Sequence, residues 1–476
     1  MSSLPTSTPA AQGVDAVGIQ AFLDALEAEP DLEPHSVMLL RHGQVVASGW
    51  WAPYAPDRPQ LLYSLSKSFT STAAGFAVAE GLIRLDDPVI SYFPEFEADI
   101  TDPRSRAMLV RHVASMASGH AEETFDRARA EDRDELVRGF LLIPPDRDPG
   151  TVFAYNQPAT YTLAAIVQRV TGQKLTEYLR PRLFDPLGIG EAAWIADRKG
   201  RELGFSGLHA TTDAIARLGL LYLRGGVWEG ERLLPESWVA EATRAQITQE
   251  APPVAGWSDW QQGYGFQFWM ARHGYRGDGA YGQFCVVLPE QDAVLAITSE
   301  TVDMQRVLDL AWEHLLPAFA DGPLPGREAA DAALADRLAR LALPPGDGKH
   351  APAERAEEWN AAAFTPEGGL CADQPTLTEI EVDPGGRLTV VDDGDRLELG
   401  FGTGEGGWTV ADEPLPVAVS GGWTDAETLV VDLAFLETPH HLLVTCSLQD
   451  RTFTARWRTQ PLHAGPLRRV RAPRSV

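Results

Sequence analysis

Tyr63-Ser64-Leu65-Ser66-Lys67-Ser68-Phe69-Thr70-Ser71 is the stretch from which the rest of the chain can be read. A strand-like run precedes it. Behind it Phe69, Ala73, Phe76, Ala77 and Ala79 recur as a buried helix that Gly81 stops. The three-residue offset puts Ser64 and Lys67 on one helix face, so the amine can reach the hydroxyl. A serine in the first turn lies near unsatisfied backbone N–H groups, whose partial positive charge favours alkoxide character. Serine still needs a base within hydrogen-bond reach, and Lys67 can serve only if its pKa falls from about 10.4. Alone, Ser-x-x-Lys is a weak motif, which a helix cap followed by a solvated lysine also satisfies.

Upstream, Val17, Ile19, Phe22, Leu23 and Leu26 mark an amphipathic helix. Ser36 to Arg41 and Val45 to Trp51 then read as a hairpin around His42-Gly43-Gln44. Downstream, Asp87-Pro88 has the cap-then-proline order of another helix start, and helical patterns dominate residues 100 to 260. Strands return at Gly265 to Met270, Phe284 to Leu288 and Ala293 to Thr298. Strands, many helices, then strands fits one sheet closed by the two ends of a single domain.

A boundary is expected near 320. Arg327 to Leu343 reads as an amphipathic helix that Pro344-Pro345-Gly346-Asp347-Gly348 interrupts as a linker would. Beyond Thr376 come short alternating runs, from Leu377, Arg387, Arg396, Thr428, His441 and Thr452, spaced as in an antiparallel meander or small barrel. The expected organisation is a first domain over 1–320, a helical linker over 321–358 and a C-terminal β-domain over 359–476. All the chemistry-bearing stretches lie before residue 300.

The nucleophile stretch with Glu80-Gly81-Leu82-Ile83-Arg84-Leu85-Asp86-Asp87-Pro88-Val89 resembles the first motif and following helix of the serine β-lactamase-related hydrolases. That family includes class C β-lactamases, D-aminopeptidases, penicillin-binding carboxypeptidases and carboxylesterases. Val110 to Gly119, Pro149 to Gln157, and Gly204-Phe205-Ser206-Gly207-Leu208 with Thr212-Asp213 and Arg217 are similar to further family blocks, in family order. The resemblance spans about 35 to 300. It implies an α+β, three-layer β-lactamase-like fold with a central antiparallel sheet; the added C-terminal β-domain is expected to be lipocalin-like.

The resemblance implies Ser64, Lys67 and Tyr155 as catalytic residues. Tyr155 shares the proton task with Lys67, and the formal base is left open between them. Gln157 stands where the family has the asparagine of Tyr-x-Asn. Gly277-Asp278-Gly279 stands where it has Lys or His, Thr or Ser, then Gly, so Asp278, Gly279 and Ala280 are expected to bind substrate. The N–H groups of Ala280 and Ser64 would form the oxyanion hole. Asp278 in place of the usual cation disfavours a substrate carboxylate there, although Arg276 can neutralise it.

Composition narrows the partners. The formal charge is −27, which argues against nucleic acid and anionic membranes, since both bind clusters of Lys and Arg. Lysines occur only at 67, 174, 199 and 349, so few amines are available for proton transfer. Cys285, Cys371 and Cys446 suit neither a disulfide framework nor a metal site. His112, His120, His209 and His273, and the His440-His441 pair, read as structural, so no metal or organic cofactor is expected. Trp408, Trp423, Trp457, Phe435 and Phe453 read as barrel core. Neither a signal peptide nor a membrane span is evident, and a cytoplasmic enzyme is expected.

The expected activity is acyl transfer to water from a small-molecule or peptide-like ester or amide, through an acyl-enzyme. The alternatives are a penicillin-binding-like sensor without turnover, and an acyltransferase.

Overall fold

Two stretches more than 200 residues apart build one sheet around the Ser64 region. The computed structural model describes residues 3–249, 258–402 and 407–474. Strands β1 (Leu32–Arg41), β2 (Gln44–Trp50), β3 (Trp269–Met270), β4 (Tyr275–Gly279), β5 (Gln283–Leu288) and β6 (Ala293–Thr301) lie in the order β2-β1-β6-β5-β4-β3. Every pairing is antiparallel, and β1 meets β6 with Val37 opposite Ile297 and Leu39 opposite Leu295. Both faces are covered, so β1 is buried almost throughout instead of alternating.

Two local expectations change. The strand expected from Gly265 begins only at Trp269, because Gln267 holds a φ of 63° that interrupts extended backbone. Gly277-Asp278-Gly279, expected ahead of a strand, is itself the end of β4, with Asp278 opposite Phe284.

On one side of the sheet, α1 (Ala16–Ala28) is capped by the Asp15 side chain on the Val17 N–H and buries Ile19, Phe22, Leu23 and Leu26. On the other lie α2 (Ser66–Ala79), α3 (Gln157–Thr171) and α4 (Thr212–Leu223). Helix α2 is buried continuously from Ser66 to Ala77. Its small hydroxyl residues make this possible by donating outward: Ser68 to the Gln267 carbonyl at 3.0 Å, Thr70 to Gly204 at 2.8 Å and Ser71 to Phe266 at 2.6 Å. After Asp87-Pro88 the chain makes only the 3₁₀ turn Val89–Tyr92, with Asp87 accepting from the Tyr92 hydroxyl at 3.0 Å. Residues 250–257, near the end of the expected helical stretch, lie outside the described residues.

The helix expected from Arg327 spans Glu328–Leu338, with Arg337 paired to Asp24 and Glu27 of α1. Among the described residues nine strands follow: β7 (Ala362–Pro366), β8 (Leu377–Asp383), β9 (Arg387–Asp392), β10 (Asp395–Gly400), β11 (Thr409–Ala411), β12 (Val417–Trp423), β13 (Thr428–Phe435), β14 (His441–Ser447) and β15 (Thr452–Trp457). Their order is β10-β9-β8-β7-β15-β14-β13-β12-β11, and a Gly402–Ser420 bridge nearly closes the barrel. The sheet is mixed, because β7 runs parallel to β15. Trp423, Phe435, Phe453 and Trp457 fill the barrel as expected. Trp408 packs instead with the cluster around α1, its indole N–H on the Leu343 carbonyl at 3.1 Å.

The barrel is docked against the first domain. Ala418, Ala434 and Leu436 share an apolar cluster with Trp51 and Tyr54. Beside it Glu33 of β1 meets His441 at 2.9 Å and pairs with Arg458, while His441 also meets Asp432 at 3.0 Å.

Candidate active site

Ser64 occupies a 3₁₀ turn, Tyr63–Leu65, that leads straight into α2. Tyr63 takes a φ of 46°, a left-handed conformation rare outside glycine, so the turn that presents Ser64 is held by its surroundings. One helical turn on, Lys67 is 1% exposed. Its Nζ stands 2.9 Å from Ser64 Oγ, 2.7 Å from Gln157 Oε1 and 2.7 Å from the Phe205 carbonyl oxygen. Gln157 Oε1 and the Phe205 carbonyl oxygen face the amine as acceptors, and a neutral amine has two hydrogens for them and one lone pair left for the Ser64 hydroxyl. Burial pushes the Lys67 amine down to about 7, against the opposing pull of Glu123 and Asp278.

Tyr155 is the second hydrogen-bond partner of Ser64. Its ring lies 4.7 Å from Lys67 Nζ and stacks on Trp269 at 5.2 Å. Loss of water, reinforced by the Asp278 charge, raises the phenol well above 10, outweighing the Ser64 hydrogen bond. Of the two candidate bases, Lys67 has the accessible neutral form and Tyr155 stays a phenol. Gln157 reaches Lys67 from the start of α3, whereas neighbouring Asn156 turns away to accept from Thr124.

Strand β4 lies against the nucleophile turn at a distance that only glycine permits. A Cβ on Gly279 would stand 2.0 Å from the Leu62 carbonyl oxygen, and one on Gly277 would stand 2.4 Å from Ser68 Oγ. This places Ala280 beside Ser64's turn. Asp278 is 6% exposed and Arg276 is fully buried, with Arg276 Nε on the Asp278 carboxylate at 3.0 Å. Arg276 also donates to the Asp259 carbonyl at 3.0 Å and the Met270 carbonyl at 3.1 Å, and lies 4.4 Å from the Trp260 ring centroid. The Asp278 carboxyl is raised by burial, which Arg276 opposes. Asp278 is therefore ion-paired with Arg276 beside the nucleophile turn.

Sequence reasoning missed Glu123. Its carboxylate accepts the Thr124 and Phe125 N–H groups, both at 2.9 Å, and the Gln157 N–H at 3.1 Å, fixing the start of α3 where Gln157 turns to Lys67. It sits in a loop with no periodicity to mark it. Beyond Phe205 a cavity of about 460 Å³ is lined by Phe125, Tyr161, Leu203 and Arg129.

Among the described residues, Glu33, His35 and His441 have donor atoms within 4.8 Å of one another, as metal ligands would. Arg458 already occupies Glu33. Burial opposes charge on His441, but Glu33 and Asp432 hold it well above 6.5, so its nitrogens are protonated. The cluster is an ion-paired seam between sheet and barrel.

The Beta-lactamase family model matches residues 19–319. The chain is 31% identical over 307 residues to the 6-aminohexanoate-dimer hydrolase of Paenarthrobacter ureafaciens, covering 59% of this chain and 78% of that protein. It is 28% identical over 191 residues to the lovastatin esterase of Penicillium rubens, covering 35% of this chain and 48% of the esterase. The fold resembles that of a penicillin-binding protein homologue from Caulobacter crescentus, with a TM-score of 0.50 at 17% identity over 66% of this chain and all of that one. A family match over most of the chain thus meets a serine and a buried amine at bonding distance: this protein is a serine hydrolase of the Beta-lactamase family.

Proposed function

We propose that the chain hydrolyses amide or ester bonds of a small substrate that carries no carboxylate beside the scissile carbonyl, through an acyl-enzyme on Ser64. The observation that carries this reading is the buried Lys67 amine 2.9 Å from Ser64 Oγ. With its pKa near 7, Lys67 takes the Ser64 proton as Oγ bonds to the carbonyl carbon. The N–H groups of Ser64 and Ala280 receive the oxyanion. Tyr155 passes a proton to the departing amine or alcohol, and the Lys67 ammonium, 4.7 Å from the Tyr155 ring, returns one to it by way of a water, since the acylated Oγ carries no proton. Water then attacks the ester, Lys67 again takes the proton, and the acid leaves as Oγ is reprotonated.

Substrate charge follows from Arg276. The charge of Arg276 is balanced by Asp278, with Nε on that carboxylate and Nη1 on two carbonyls, and only its buried Nη2 has no partner among the described residues, so the third-motif position offers no net positive charge to a carboxylate. The relative named for 6-aminohexanoate-dimer hydrolysis supports an amide as one substrate class, and the relative named for lovastatin supports an ester. The cavity past Phe205, where Phe125 and Tyr161 stand with Arg129, Arg133, Arg198 and Lys199, would take an apolar or anionic non-reacting end of such a molecule. The test is turnover of nitrophenyl esters, amino-acid anilides and nitrocefin by the purified protein, with Ser64→Ala in parallel. Esters or anilides are turned over and nitrocefin poorly; efficient nitrocefin hydrolysis would contradict the charge argument.

A further inference from the structure

We infer that the C-terminal barrel sets the spacing of the oxyanion hole, with His440 acting as a positioning residue for Ser64 through Tyr63. The inference rests on the reading of Ser64 as nucleophile. Two residues flank the proposed oxyanion donors: Tyr63 immediately before Ser64, and Tyr281 immediately after Ala280. Both hold left-handed backbone, with φ of 46° and 68°. Such conformations in bulky residues persist only where surrounding contacts over-determine them. Both are fastened by their hydroxyls to the barrel, Tyr63 to His440 Nε2 and Tyr281 to the Gln460 carbonyl at 2.5 Å.

The hydrogen bonds around Tyr63 form one directed chain. With Glu300 ionised, above the value of about 7 to which burial raises its carboxyl, Thr459 Oγ1 donates to Glu300 Oε1 at 2.6 Å, so its oxygen accepts from His440 Nδ1 at 2.9 Å. His440 Nε2 is then the acceptor, and the Tyr63 hydroxyl donates to it. The Leu462 N–H approaches that hydroxyl at 3.4 Å and completes the chain. Burial pushes His440 down to about 3, which keeps it in the neutral form this polarity needs. Glu300 anchors the chain on β6, so one line of bonds ties the central sheet, the barrel and the nucleophile turn together.

A second barrel histidine closes the arrangement. His463 stacks on the Tyr63 ring at 5.7 Å and bonds Ser206 Oγ at 2.8 Å, next to the Phe205 carbonyl that receives Lys67. The segment after β15 therefore touches the residue before the nucleophile, the residue after Ala280 and the loop that holds the lysine. The expectation that all chemistry-bearing stretches lie before residue 300 does not cover this role, which the tail performs by holding others.

The test uses the full-length protein and the variants Tyr63→Phe and Tyr281→Phe, each of which removes one oxygen, with His440→Ala and His440→Gln. Steady-state kinetics on a nitrophenyl ester are read beside Tm and the Ki of a boronic acid that mimics the tetrahedral intermediate. We expect kcat to fall about 10- to 100-fold in Tyr63→Phe and His440→Ala, with KM within about threefold and Ki rising in step with the loss. Gln can accept and donate as His440 does, and should restore part of the rate. Wild-type kcat and Ki in folded Tyr63→Phe would overturn the inference, whatever happens to Tm. If His440→Ala fails to fold, Tyr63→Phe decides alone. Ser64→Ala measured alongside separates the two readings: turnover surviving there overturns the nucleophile itself, whereas an inactive Ser64→Ala with an unaffected Tyr63→Phe overturns only the positioning.

Discussion

Arg276 and Asp278 form an ion pair at 3.0 Å beside the nucleophile turn, with side chains 0% and 5% exposed. Breaking such a pair by removing one partner strands the other charge in a medium that solvates it poorly. Asp278→Asn should therefore cost about 3 kcal/mol or more of stability, seen as a lowered denaturant midpoint. It should not create efficient nitrocefin turnover, because Arg276 remains held by the Asp259 and Met270 carbonyls. A stable variant with a strong gain on anionic substrates would show that Asp278 faces the substrate.

Lys67 must be neutral to accept the Ser64 proton. Burial lowers its pKa to about 7, so the competent form grows as pH rises through that value and is lost below it. The kcat/KM profile should thus carry an acidic limb with an apparent pKa near 7. Lys67→Ala should lose about 10² to 10⁴ of the rate at any pH. A profile flat from pH 5 to 8 would count against Lys67 as the base.

Tyr155→Phe separates proton delivery from nucleophile activation. The phenol stays protonated and bonded to Ser64, so its task falls on the leaving group. Anilides and amides, whose amine cannot depart unprotonated, should lose about 10² or more, while nitrophenyl esters, whose phenolate leaves readily, should lose much less. Equal losses on both substrates would place Tyr155 at the deprotonation of Ser64.

Gly279→Ala puts a methyl about 2.0 Å from the Leu62 carbonyl oxygen, backbone against backbone, where no rotamer can yield. It should destabilise by about 1–3 kcal/mol and slow labelling of Ser64 by a fluorophosphonate, because β4 and the nucleophile turn must separate. Unchanged labelling would mean that Ala280 contributes nothing to the oxyanion hole.

How much of this was legible in the sequence depends on whether the signal was local. Ser64, Lys67 and the helix behind them share one turn and its periodicity, and the strands from His441 and Thr452 end where alternation ends. Strand β12 escaped because Ser420-Gly421-Gly422 removes its apolar alternation, and Gly421 is needed where a Cβ would stand 2.2 Å from the Val430 carbonyl oxygen. The ion pairing of Asp278 was visible only as a neighbouring arginine. The contacts of Tyr63 with His440 and His463 join residues nearly 400 positions apart, a separation that no window or motif spans.

The central claim is that Ser64 carries the acyl group. Intact-mass analysis during turnover of a slow ester, with the adduct mapped by peptide fragmentation, measures it directly. The account predicts one acyl adduct per chain, on Ser64, and neither adduct nor turnover in a folded Ser64→Ala variant. A Ser64→Ala protein that retains wild-type turnover, or an adduct on another residue, would contradict it.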